Sequence, residues 1–106
     1  PLFLNGNGFD GLGALNSVSG NNTANGPINL SSNSAIGSET GSTLTLNTAL
    51  TQTTTNTTLT KVGEGEVIMT GAANTYNGTT TAAEGTLSLN KPTTDGAILG
   101  NLIVGN

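Results

Sequence analysis

Cysteine, histidine and tryptophan are absent from this chain of 106 residues, the basic residues number two (Lys61 and Lys91), and aromatics make up 3%. Each absence excludes something. Without histidine or cysteine, the common nucleophile, general-base and zinc-ligand sets cannot be assembled, and no base is available to activate the many serines. Without cysteine no disulfide framework exists, so the redox compartment cannot be read from the sequence. Six acids against two bases give a net charge of −4. That leaves no basic patch to neutralise phosphates, which argues against nucleic acid or an anionic membrane as partner. No apolar run approaches the roughly 20 residues that cross a bilayer as a helix. The chain begins at Pro1 with neither methionine nor a signal-peptide pattern. This predicts a processed chain, a piece of a longer precursor, or one unit of it.

What is present is small and polar. Charged residues are only 8% of the chain, apolar residues 33%, and there are 16 glycines amid abundant Asn, Thr and Ser. A disordered chain would carry more charge and proline and fewer β-branched residues, whereas apolar residues here recur in short regular bursts. A single compact core would be marginal at this length. Residues 59–89 carry the clearest pattern: short strands separated by turns at Gly63, Gly65, Gly71, Gly78 and Gly85. Alternation predicts Leu59, Val67, Met69, Tyr76, Leu87 and Leu89 on one interior, with Thr60, Ile68, Thr70, Thr80 and Ser88 facing out. Such short strands cannot form a stable sheet alone, and turns arriving about every eight residues suit a coiled sheet.

The same stretch resembles the autotransporter-associated β-strand repeat of bacterial surface and secreted passenger proteins. The residues carrying the likeness are Leu59-Thr60-Lys61, Gly63, Gly65, Thr70-Gly71, Asn74-Thr75-Tyr76-Asn77-Gly78, Thr79-Thr80-Thr81 and Gly85-Thr86-Leu87-Ser88-Leu89. Glu66 and the doubled Ala72-Ala73 depart from it without touching a turn glycine. The resemblance implies an all-β fold, a parallel β-helix with Gly/Asn turns, and a secreted or bacterial cell-surface location. It also implies a scaffold tied to no one chemistry, with the aromatic at Tyr76 packing at a turn. The flanking segments resemble the surroundings of such repeats, so residues 1–106 are expected to form one solenoid domain or a segment of a longer array. Coils of about 20 to 30 residues would give roughly four or five.

Taken in order, residues 1–4 form an apolar strand with proline at its first position. Residues 6–12 partly match the calcium-binding nonapeptide of β-rolls, but a single copy cannot supply ligands from successive turns, so no metal site is assigned. Strands are expected over 12–18, 32–39, 97–99 and 102–104, with a turn at Ser19-Gly20-Asn21-Asn22. Residues 49–58 form a threonine run read as a polar edge strand or a bulging loop. Two internal echoes appear. Asn22-Thr23-Ala24-Asn25-Gly26 repeats the spacing of Asn74-Thr75-Tyr76-Asn77-Gly78, and Gly41-Ser42-Thr43-Leu44-Thr45-Leu46-Asn47 repeats Gly85-Thr86-Leu87-Ser88-Leu89-Asn90. No helix is predicted, because glycine interrupts every amphipathic window.

Both termini are apolar, Leu2-Phe3-Leu4 and Leu102-Ile103-Val104, with no charged strand or helix to cap the coil. These six residues are the expected assembly ends, covered by neighbouring repeats of the same protein or by head-to-tail self-association. Catalysis is not expected. Of Asp10, Glu39, Glu64, Glu66, Glu84 and Asp95, only Glu64 and Glu66 are neighbours, and these flank a tight glycine turn as solvated carboxylates. No cofactor is implied. The Thr-x-Thr pairs are spaced too irregularly for an ice-binding ladder, and the sequons at Asn21, Asn29, Asn56 and Asn77 follow from composition. A competing class is an adhesive module binding glycans or other cells through exposed polar ladders or the 51–58 bulge.

Overall fold

A computed structural model describes residues 1–91 and 96–105. All its strands are parallel, and they stack as a β-solenoid of about four turns. The strands are β1 (Leu2–Gly6), β2 (Leu15–Ser17), β3 (Asn21–Ala24), β4 (Ile28–Ser38), β5 (Thr43–Asn47), β6 (Leu50–Gln52), β7 (Leu59–Val62), β8 (Glu66–Thr70), β9 (Thr80–Ala82), β10 (Thr86–Leu89) and β11 (Leu102–Val104). The one helical piece among the described residues is a 3-10 turn at Phe9–Gly11.

Each coil offers three strand positions. The first holds β1, the start of β4, and β6, with Leu2 over Ile28 and Ile28 over Leu50. The second holds β2, the end of β4, β7, β9 and β11, with Leu15, Ile36, Lys61, Ala82 and Val104 in one column. The third holds β3, β5, β8 and β10, with Asn21, Thr43, Glu66 and Thr86 in one column. Bonded side chains on adjacent coils sit 19 to 25 residues from their partners in sequence. The second echo is therefore structural, since residues 43–46 and 86–89 occupy the same position two coils apart. The first echo is not. Asn22 lies in β3 at the third position, whereas residues 74–78 cross the first position over 50–57.

Alternation works because each strand has one face inside. In β8, Val67 and Met69 are buried while Glu66, Ile68 and Thr70 are half-exposed, and β5 repeats this with Leu44 and Leu46 inside. The interior joins Leu4, Ile28, Leu30, Ile36, Leu44, Leu46, Leu50, Leu59, Val67, Met69, Tyr76 and Ala97. Burying a large aliphatic side chain stabilises by roughly 1.5 to 3 kcal/mol. A coil cannot bury its own face alone, so this gain arises only by stacking.

Several expectations need correction. Thr80 points inside, completely buried in the column Ser34, Leu59, Thr80, Leu102, because the chain re-enters that column in phase with Leu59. Leu89 is 44% exposed, since among the described residues nothing lies above β10. Of residues 12–18 only 15–17 are strand. Asn21 and Asn22 open β3 instead of turning, and residues 97–99 are a bend. The threonine run is divided: Leu50 is wholly buried in β6, residues 53–56 are exposed in a surface loop, and Thr57 turns back inside.

Candidate functional site at the coil corners and open ends

Residues 59–89 are held together by single polar side chains placed inside. Lys61 occupies an inward position of β7 between Ile36 and Ala82 and is 1% exposed. Its ammonium donates to the carbonyls of Gly63 (2.5 Å), Gly65 (2.7 Å) and Glu84 (3.0 Å), so all three protons are satisfied across two coils. Burial pulls its pKa below the usual 10.5, partly countered by the Glu84 charge. Lys91 uses the same device at another corner, donating to the carbonyls of Thr48, Thr70 and Ala72, and burial lowers its pKa too.

Asn74 reinforces an irregular stretch. At the first position of the fourth coil the main chain bonds its neighbours through the Asn74 N–H to Gly96 and the Thr75 N–H to Leu50, and this buried amide adds further contacts between coils. Its Oδ1 accepts from the Leu50 N–H (2.8 Å) below, and its Nδ2 donates to the Ala97 carbonyl (2.9 Å) above. Tyr76 beside it is fully buried, with its hydroxyl 2.7 Å from Thr80 Oγ1. Burial raises the phenol pKa above 10.0, and the Thr80 hydrogen bond opposes the shift. Tyr76 thus lies inside the coil and not at its surface.

The turn glycines serve two needs. Gly63, Gly71 and Gly85 adopt φ of 82°, 81° and 66°, in the left-handed region that other residues enter at a cost. Gly65 and Gly78 do not; a Cβ there would lie 2.3 Å from the Glu39 carbonyl oxygen and 2.2 Å from that of Thr57. Close stacking of turns excludes a side chain at both. The sequence pattern located these residues but missed Lys61 as an interior group. Its signal was the two-residue spacing from Leu59, which places it on the inward face.

The expected assembly ends divide. Leu2 and Phe3 are exposed at 43% and 56% on β1, one edge of the larger sheet, but Leu4 is a core residue. At the other edge Leu102, Ile103 and Val104 on β11 are all exposed, Val104 by 78%. The carboxylates are dispersed over the corners. Glu66 accepts from Ser88 Oγ at 2.5 Å, Glu39 accepts from Asn16 Nδ2 at 2.6 Å, and Glu84 accepts from the Gly63 N–H at 3.3 Å. Asp10 lies in the exposed 3-10 turn; Asp95 lies outside the described residues. Among the described residues, no three acids lie close enough to share a metal ion.

Residues 59–89 match the family described as the passenger-associated-transport-repeat. The match spans Lys61, Asn74, Tyr76 and the five turn glycines. No curated protein and no solved structure matches the chain.

Proposed function

We propose that this chain is a structural, non-enzymatic unit of a secreted or bacterial cell-surface protein, a stalk or fibre element continued end to end by further coils. The passenger repeat at 59–89 and the solenoid fit a passenger-type structural module, and the reading extends this to assembly. One observation carries it. Both ends leave parallel strand edges open, with Leu2 and Phe3 exposed at one and Leu102, Ile103 and Val104 at the other. The strands run in one sense, with β1 outermost at the first strand position and β11 outermost at the second. An exposed edge accepts a further strand through its main chain, and a head-to-tail contact that does not close on itself propagates as a filament.

The test is electron microscopy and sedimentation of the purified chain across a concentration series, beside a Leu2→Lys, Phe3→Lys, Val104→Lys variant. Leu4 is left alone because it belongs to the core. The expected result is concentration-dependent end-to-end polymer that the variant abolishes. A folded monomer at every concentration overturns self-stacking. Saturable glycan binding by that monomer would favour the adhesive reading, carried by outward polar ladders such as Asn25, Asn47 and Thr70.

A further inference from the structure

The corner joining the second and third strand positions runs along the solenoid axis through four successive coils, presenting Val18, then Glu39 and Thr40, then Val62, Gly63 and Glu64, then Glu84. With Gly11 and Leu12 from the first-coil loop, these residues line an open cleft of about 320 Å³. Its lining is mixed and open to water, more polar than apolar, with Leu12, Val18 and Val62 as its apolar side chains; Val18 is 66% exposed and Leu12 40%. Its three carboxylates come from different coils, so at about 4.8 Å per coil they span about 10 Å, the reach of about three residues of extended chain. They do not converge on one ion. Among the described residues, no carboxylate bonds an ammonium. Lys61 and Lys91 give theirs to backbone carbonyls, and that of Lys61 lies buried behind this corner.

We propose that this cleft is a docking groove for a basic amphipathic peptide segment in extended conformation, its Lys or Arg side chains along the carboxylate row and its apolar side chains against Leu12, Val18 and Val62. Charge complementarity selects the partner: three carboxylates stand beside the apolar side chains of Leu12, Val18 and Val62, and no basic side chain lines the cleft to repel a cation. A row one coil apart matches a chain, whereas a single small cation would need the acids gathered. The groove is independent of end-to-end stacking, since it lies on the side of the solenoid.

Fluorescence anisotropy with a short labelled peptide alternating lysine and leucine tests the proposal. Saturable binding that weakens with added salt is expected. It should fall by about tenfold in a Glu64→Gln, Glu84→Gln variant and comparably in a Leu12→Ser, Val18→Ser variant. Circular dichroism of each variant keeps loss of fold separate from loss of binding. Absence of saturable binding to the parent chain overturns the proposal, as does equal binding of a peptide with glutamate in place of lysine. Unchanged affinity in both folded variants also overturns it. Displacement of the peptide by spermine at equal affinity would reassign the groove to small polyamines and overturn the peptide reading.

Discussion

The first coil and the segment 59–89 trace the same three strand positions, yet they are held in different ways. In 59–89, polar side chains go inside and are saturated there: Lys61 by three carbonyls, Asn74 by Leu50 and Ala97, Tyr76 by Thr80. In the first coil Asn22 donates to the buried Ser17 Oγ and the Ser19 carbonyl, Asn16 Oδ1 is buried without a partner, and Phe9, Leu12 and Val18 face water. Neighbours explain the contrast. From β7 to β9 the matched segment has coils on both sides, so an unpaired polar group there would be buried at a cost of about 1 to 3 kcal/mol and must find a partner. The first coil has a described coil on one side only. Its outer edge tolerates looser chemistry and can carry a binding surface.

The largest expected effect compares the two aromatics. Tyr76→Ala should cost about 3 to 5 kcal/mol by opening a cavity in the interior, whereas Phe9→Ala should lie within about 0.5 kcal/mol. Urea denaturation of both variants checks this, and equal losses would break the contrast between the coils. Next come the amides. Asn74→Ala strands the Leu50 N–H and the Ala97 carbonyl and should cost about 2 to 4 kcal/mol, against less than about 1 kcal/mol for Asn22→Ala. Hydrogen exchange at the Leu50 amide sharpens the test, since that proton should lose protection only in the Asn74 variant.

The smallest effect is the alkaline pH dependence. The folded pKa values of Lys61 and Lys91 lie below 10.5, so between those values and 10.5 the unfolded chain binds more protons and stability rises with pH. Tyr76 acts oppositely. Its folded pKa lies above 10.0, so its contribution is full below 10.0 and is lost as the pH climbs through the raised value. Denaturation midpoints should therefore rise on approach to pH 10.5 and fall above it. Tyr76→Phe should remove the fall and keep the rise.

Local pattern carried much of this molecule. The Leu-Thr-Leu of residues 44–46 and the Leu-Ser-Leu of 87–89 announce strands of one column, and glycines at 63, 71 and 85 announce turns that only they make cheaply. The same reading failed at Thr80, taken as outward, and at Asn22-Thr23-Ala24-Asn25-Gly26, whose likeness to 74–78 ends with its letters. Within a strand, the two-residue period fixes which side chains share a face. Which face becomes interior, and which strand position a segment takes, depends on the coil beneath it.

By itself, then, the sequence determined short alternating strands divided by glycine turns, which suit a coiled sheet, and its resemblance to the passenger repeat implied that the sheet is a parallel solenoid. It also excluded the chemistry that histidine and cysteine support. Tertiary structure alone decided that Lys61 lies inside, that Asn74 bridges coils, and that Glu39, Glu64 and Glu84 form one row. Those facts rest on partners some 20 to 25 residues away in sequence, and a side chain's surroundings at that separation exist only once the coils have stacked.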